Sequence, residues 1–204
     1  MRKVQIKAIS PSALAVITVL AVVIGAGCNW FGGGPDLGRA RPGAASIMGR
    51  GGADSRQLAK LLCSKNTRIG FEKARKFAMI YIQESRAEGV NSDVAFVQMC
   101  LETDFLRFGG QVQASQNNFC GLGATDDGAA GASFPTVRAG VRAHIQHLKA
   151  YASRDPVRSR IIDPRFKLVE RGSAPYVKHL AGTWATDPHY ARKIKRLLAR
   201  LRQT

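Results

Sequence analysis

The sequence has few acidic residues and no apolar run long enough to span a membrane. Only 14 Asp and Glu accompany 31 Lys and Arg among 204 residues, a formal net charge of +17. This imbalance predicts a surface that attracts polyanions, whether nucleic acid, anionic lipid or an acidic cell-wall polymer. The apolar run Ala13 to Gly25 is shorter than the roughly 20 residues of a spanning helix, which argues against a single-pass anchor. The chain length predicts one domain with its own core.

The N-terminus has the layout of a secretory signal, because three basic residues precede the apolar run. The run ends in IGAGC, where small residues come before Cys28. This end resembles the lipid-attachment site of bacterial lipoproteins, although Gly25 stands where an aliphatic residue is usual. We therefore expect residues 1–28 to be a signal and Cys28 to be acylated. The expected product is an exported, membrane-anchored lipoprotein that faces the periplasm or the cell wall.

The segment after the signal is rich in Gly, Ala and Pro and shows neither a helical nor a strand period. Residues 29–54 are therefore predicted to be a flexible tether, and residues 55–204 to be the folded domain. Without the three basic residues of the signal, 28 basic residues still accompany 14 acidic ones. The basic character thus belongs to the mature protein.

Cysteine is scarce, and no CxxC or Cys/His spacing indicates a zinc site. Outside the signal there are three cysteines, which leaves two interpretations open. Either one disulfide forms, for which Cys100 and Cys120 are the preferred pair, or all three are buried thiols. His144 and His147 are three residues apart but lack a third ligand motif, so we interpret them as a polar helix face. We expect no metal or organic cofactor.

Helical periodicity dominates the sequence after the tether. The pattern predicts a mainly α domain of about six helices, with a small irregular or β-hairpin lobe in the polar, Gly-rich segment from Leu106 to Ser133. Candidate caps are Gly89, Asn91 or Ser92, and Asp187 followed by Pro188. The predicted helices are Ser55 to Ser64, Phe71 to Glu88, a helix from Asn91 or Ser92 to Glu102, Thr136 to Ser153, Pro175 to Leu180, and one from Pro188 onward.

The carboxylate of Glu102 lies where an apolar helix gives way to the Gly-rich segment. Partial burial at such a position would raise its pKa, as a general acid needs if it is to stay protonated. On the residue pattern alone, an exposed helical glutamate is the simpler interpretation.

Three segments, in this order along the chain, carry a resemblance to a known family: DVAFVQMCLETDFLRFGG, then QNNFCGLGATDDGAAGASFP with GVRAHIQHLKAY, and finally WATDPHYARKI. From about Phe71 to the C-terminus the chain resembles the glucosaminidase domain of glycoside hydrolase family 73, the class of the flagellar peptidoglycan hydrolase and many autolysins. The resemblance implies a lysozyme-like fold that cleaves peptidoglycan glycan after N-acetylglucosamine. It places the general acid at Glu102.

The same resemblance implies further site residues. The family's NNLFG-type motif, which shapes the cleft, falls on Asn117, Asn118 and Phe119. Its YATDPHYARK-type motif includes Trp184 and Tyr190, and the ring of Trp184 is expected to stack on a sugar. Family members often have a second acid on the irregular lobe. Here the candidates are Asp126 and Asp127, unless the substrate's own 2-acetamido group is the nucleophile. The charge of Asp104 is expected to raise the pKa of Glu102.

Two rivals remain beside this interpretation. A muramidase or lytic transglycosylase of the same fold would cut the other glycosidic bond, and a wall-binding lipoprotein would keep the cleft without catalysis. We expect peptidoglycan strands as the partner of a monomer, with anionic wall polymers or lipid headgroups at the basic surface. Nucleic acid is not expected, because no nucleic-acid motif accompanies the charge and export argues against it.

Overall fold

The computed structural model describes residues 45–124, 128 and 130–204, and over these residues the chain is mainly helical. Three short 3₁₀ turns, Ala114–Gln116, Phe166–Leu168 and Val177–Leu180, lie between the longer helices, and no β-strand occurs in the described ranges. The α-helices are α1 Ser55–Cys63, α2 Phe71–Glu88, α3 Ser92–Glu102, α4 Val137–Ala152 and α5 Tyr190–Leu201. The predicted mainly α, lysozyme-like fold class is confirmed.

Local capping signals set most helix boundaries where the sequence predicts them. The Asn91 side chain accepts from the backbone of Asp93 and Val94 at the start of α3. The Thr136 hydroxyl accepts from Ala139 N at the start of α4. Gly89 ends α2 with φ of 75°, a left-handed conformation that favours glycine.

The last helix begins later than predicted. Asp187 and Pro188 form a turn before it, in which Tyr190 N donates to Asp187 O at 3.0 Å and His189 N donates to the Asp187 carboxylate at 2.8 Å. The helix α5 therefore starts at Tyr190. The short helix predicted from Pro175 to Leu180 is a single 3₁₀ turn, Val177–Leu180.

The folded domain begins before Ser55, so the predicted tether boundary at residue 54 is wrong for its last ten residues. Ile47 is fully buried in the core. Its backbone N–H donates to Pro175 O at 3.1 Å, and its carbonyl accepts from Asn91 N at 2.8 Å. This segment satisfies its hydrogen bonds against two distant parts of the domain, which composition alone does not reveal. Residues 1–44, including the predicted signal and Cys28, lie outside the described residues.

Helix α3 lies at the centre of the domain and is buried on nearly all sides, as expected for a helix without a polar face. It packs against α2, α4 and α5. The carboxylate of Glu84 on α2 forms ion pairs with Arg138 Nη1 at 2.5 Å and Arg142 Nε at 2.8 Å, both on α4. These ion pairs hold the two helices together. No helix in the described part of the chain is long and apolar enough to cross a membrane.

The three described cysteines are free thiols, so of the two interpretations left open, the one with a Cys100–Cys120 disulfide is wrong. Both side chains are buried, and burial raises the pKa of each thiol above its ordinary value. Because the thiolate is the reactive form, these cysteines behave as small apolar core residues.

Candidate active site

Glu102 is the last residue of α3, and the chain turns sharply after it. The Thr103 hydroxyl donates to Met99 O at 2.8 Å and accepts from Leu106 N at 2.9 Å, which closes the helix end. Asp104, Phe105 and Leu106 then all have φ between 49° and 61°. Consecutive left-handed residues of this kind are costly, and such strain is concentrated at functional sites. The turn leads the polar lobe back across the end of α3.

A cavity of about 130 Å³ lies at this helix end and is lined by the partly buried Glu102. One wall comes from α4 and the segment before α5, and the other comes from the polar lobe. We call it the acid cavity. Its other lining residues are Thr103, Phe108 to Val112, Asn118, Cys120 to Leu122, Ala124, His147, Tyr151 and Trp184.

Two neutral donors hold the Glu102 carboxyl group. Trp184 Nε1 donates to Oε1 at 3.0 Å, and the Tyr190 hydroxyl donates to the same oxygen. No other described residue donates to this carboxyl group. Burial raises the pKa of Glu102 to about 7, although the hydrogen bonds from Tyr190 and Trp184 act to lower it. The group therefore keeps a protonated population near neutral pH, the condition under which a carboxyl group can serve as a general acid.

The Tyr190 hydroxyl is the end of a buried hydrogen-bond chain. Gln98 Nε2 donates to Tyr190 at 3.0 Å, and Gln98 Oε1 lies 3.1 Å from His144 Nε2. His144 Nδ1 in turn lies 3.0 Å from the Tyr81 hydroxyl. Tyr81, Gln98 and His144 are fully buried. We call these four hydrogen-bonded residues, Tyr81, His144, Gln98 and Tyr190, the core chain.

The donor and acceptor roles of the core chain follow from its chemistry. Because Gln98 Oε1 can only accept, His144 Nε2 carries a hydrogen. Burial, and then His147, lower the pKa of His144 to about 3, so Nδ1 is free to accept from Tyr81. Every hydrogen bond of the chain thus points towards Glu102, and aligned bonds of this kind polarise one another.

The Asn117 to Phe119 motif builds the wall of the site. Asn118 is buried; its Nδ2 donates to Leu122 O at 2.9 Å and Ala132 O at 3.0 Å, and its Oδ1 accepts from Leu122 N at 3.0 Å. Asn117 Nδ2 donates to Phe134 O at 3.0 Å. The wall presses against α4 at Gly140, where an added Cβ would lie 1.7 Å from Asn117 O. Only glycine fits at that contact.

Trp184 and Asp104 differ from their predicted roles. Trp184 is only 4% exposed, and its ring packs against His144, His147 and Tyr151. It donates to Glu102 instead of offering an open stacking surface. Asp104 does not cause the raised pKa of Glu102, because its exposed carboxylate pairs with Arg107 at 2.7 Å.

The structure also corrects the interpretation of the two histidines, which are buried and do not form a polar helix face. His147 Nδ1 lies 2.8 Å from Asp163 Oδ2. Within the described residues no group of three His, Cys, Asp or Glu side chains is arranged to hold a metal ion. Asp126 and Asp127 lie outside the described residues and follow Ala124, which lines the acid cavity.

Comparison with known proteins decides the family. The sequence model of the glucosaminidase family, described as mannosyl-glycoprotein endo-beta-N-acetylglucosaminidase, matches residues 78–203. The chain belongs to the glucosaminidase family. An uncharacterized protein of Borreliella burgdorferi is 44% identical to it over 155 residues, which cover 76% of each chain. The predicted resemblance is confirmed, and family membership supports a glycoside hydrolase that acts on peptidoglycan.

Gln98, Tyr81 and Tyr151 of this glucosaminidase domain have site roles that the sequence does not predict. A signal exists for His144, which is three residues after Val141 and four before Leu148 on the apolar ridge of α4. That spacing places it on the buried side of the helix. No sequence signal links it to Gln98, which is 46 residues away.

Proposed function

We propose that this protein is an endo-β-N-acetylglucosaminidase that cuts the glycan strand of peptidoglycan with Glu102 as the general acid. The observation that carries the proposal is a partly buried carboxyl group with a pKa of about 7 beside a cavity, held by two neutral donors. Family membership supports the reaction class.

The geometry supports proton transfer from Glu102 to the glycosidic oxygen. Burial favours the protonated form before the reaction, and the Trp184 and Tyr190 hydrogen bonds favour the carboxylate that the transfer leaves behind. These donors are already in place, so little reorganisation is required as charge develops. The core chain keeps the Tyr190 hydroxyl oriented towards Glu102.

The second half of the reaction has two possible routes. A water positioned by Asp126 or Asp127 would give inversion, whereas attack by the substrate's 2-acetamido group would give retention without a protein nucleophile. Replacement of each aspartate by Asn distinguishes them. Loss of cleavage in one variant supports the water route, and activity in both, and in the double variant, supports the substrate-assisted route.

The test of the bond specificity is mass spectrometry of fragments released from purified sacculi and reduced with borohydride. We expect N-acetylglucosaminitol at the new ends. N-acetylmuramitol ends would show a muramidase, anhydro ends a lytic transglycosylase, and binding to sacculi without release a non-catalytic wall protein.

The test of the acid is Glu102→Gln, for which we expect a loss of cleavage of at least about 100-fold with an unchanged circular dichroism spectrum. Asp104→Asn is the matched control, because it removes a carboxylate two residues away that is exposed and outside the cavity lining. We expect it to retain activity within about twofold, as surface substitutions usually have small effects. A fully active Glu102→Gln variant would refute the assignment.

We further propose that the protein is exported and anchored by lipid on Cys28. The apolar run before Cys28 and the Gly-rich segment after it support this arrangement. The substitution Cys28→Ala is expected to move the protein from the membrane fraction to the soluble exported fraction, which cell fractionation measures. Retention in the membrane fraction would contradict the lipid anchor.

A further inference from the structure

A second and larger cavity lies beside the acid cavity and is lined by basic residues. Its volume is about 910 Å³. The rim carries four exposed cations, Lys65, Arg68, Lys73 and Lys76, and we call the cavity the basic groove. Among the residues that the structure describes, no Asp or Glu lines this groove. Its floor is apolar and includes Ile69, Phe77, Ile80, Leu106, Phe119 and Val137.

The four rim cations are available to a ligand. None of them takes part in an ion pair between described residues, whereas Arg107, which also lines the groove, is neutralised by Asp104. Lys73 and Lys76 lie in the first two turns of α2. Cations there oppose the helix dipole and slightly destabilise the helix. Helix stability therefore does not account for their presence.

The basic groove and the acid cavity are on two sides of one wall. Along the segment 117–120, Asn117 and Phe119 line the groove, whereas Asn118 and Cys120 line the acid cavity. Phe108 lines both cavities and packs on Phe119, with ring centroids 6.5 Å apart. A branched ligand could place its main chain beside Glu102 and its branch across Phe108 into the groove.

We propose that the basic groove binds the acidic peptide stem that branches from the peptidoglycan glycan strand, an inference that rests on the proposed function. The stem combines carboxylates with alanine methyl groups, which match the cationic rim and the apolar floor. A polyphosphate chain would make no use of the apolar floor. A lipid surface suits the exposed basic residues of α5 better than a concave groove.

The test compares peptide-bearing glycan strands with strands from which an amidase has removed the stems. We expect the wild type to cleave peptide-bearing strands with the higher kcat/KM. The double variant Lys73→Gln/Lys76→Gln should lower that value about three- to tenfold, the effect of losing two exposed ion pairs. Cleavage of stripped strands should stay within twofold, and high salt should reduce the preference of the wild type.

The matched control is Lys195→Gln/Arg196→Gln, which removes the same charge from exposed positions of α5. We expect it to keep the preference for peptide-bearing strands. An equal effect of both double variants, or a wild type with no preference at low salt, would overturn the proposal.

A binding assay separates this inference from the proposed hydrolysis. Glu102→Gln, with and without the two groove substitutions, is sedimented with intact and amidase-treated sacculi, polyphosphate and phosphatidylglycerol vesicles. Loss of binding only to intact sacculi supports a stem site. Loss only to polyphosphate or vesicles overturns it. If the wild type cleaves neither strand, the proposed function fails, and this assay still decides the groove's ligand.

Discussion

Glu88 and Glu102 occupy the same local position, since each is the last residue of its helix, yet their surroundings give them opposite properties. Glu88 ends α2 and is 1% exposed. Both of its oxygens are fully engaged: Oε2 by Lys149 Nζ at 3.0 Å and Arg158 N at 2.9 Å, and Oε1 by Ser159 N at 3.0 Å and the Ser159 hydroxyl.

The two carboxyl groups differ in whether a cation compensates for burial. Burial acts to raise the pKa of Glu88, but the hydrogen bonds from Ser159, Arg158 N and Lys149 outweigh it and lower the pKa. At Glu102 only the neutral donors Tyr190 and Trp184 oppose burial, and the pKa rises to about 7. A buried glutamate that accepts from Ser159, Arg158 N and a cation thus stays ionised and structural, whereas one that accepts only from two neutral donors can exchange a proton near neutral pH.

The largest effect on stability is expected from Glu88→Gln. This change leaves the Lys149 ammonium buried without its counter-charge, which should cost about 3–5 kcal/mol of unfolding free energy. Glu102→Gln should change stability by less than about 1 kcal/mol at pH 6, where the native side chain is mostly protonated. Urea unfolding of both variants measures the difference. Equal losses would show that the two sites do not differ as described.

The second prediction concerns pH. Because a general acid must be protonated, cleavage should fall about tenfold for each pH unit above about 7. Stability should also respond. The native pKa of Glu102 is raised from its ordinary 4.5, so its contribution is fully present below pH 4.5 and is lost as pH rises through 7.

The lowered pKa of Glu88 has the opposite sign, since its contribution is present above pH 4.5 and is lost as pH falls. The free energy of unfolding, measured from pH 4 to 9 in wild type and Glu102→Gln, isolates the contribution of Glu102 to this pH dependence. A decrease between pH 4.5 and 7 that persists unchanged in the variant would contradict its assignment to Glu102.

A smaller effect, on the pH profile of cleavage, is expected from Tyr190→Phe, which tests the role of the core chain. The Tyr190 hydrogen bond lowers the pKa of Glu102, so its loss should move the alkaline limb of the cleavage profile upward by about half to one pH unit. His144→Phe leaves Tyr190 in place but removes the donor to Gln98 Oε1. It should cause a smaller shift in the same direction. A downward shift in either variant would contradict the hydrogen-bond directions.

The sequence predicts the elements of this fold better than their partners. Helix ends at Gly89 and Asn91 follow from local caps and are found where predicted, and α4 begins at Val137, one residue after its predicted start. The start of α5 is misplaced because Asp187 caps a turn instead of the helix. The N-terminal contact of Ile47 depends on a partner more than 100 residues away, which no local pattern contains.

The same limit applies to the site. The position of Glu102 is visible in the sequence as a carboxylate at the end of an apolar helix. The sequence also predicts that partial burial raises its pKa, which is what is found, but it does not show which distant residues bury the group, and Asp104, the second expected cause, does not contribute. Trp184 and Tyr190 reach Glu102 across 82 and 88 residues. Only the tertiary structure shows that these two residues donate hydrogen bonds to Glu102.

The most direct test of this account is an NMR titration of the protein labelled with ¹³C at glutamate side-chain carboxyl groups. The Glu102 signal is assigned by its disappearance in Glu102→Gln. We predict that it titrates at about pH 7, while Glu88 titrates below 4.5. A Glu102 signal that titrates at or below 4.5 would show that the carboxyl group is ionised throughout the neutral range. It would contradict its role as the proton donor.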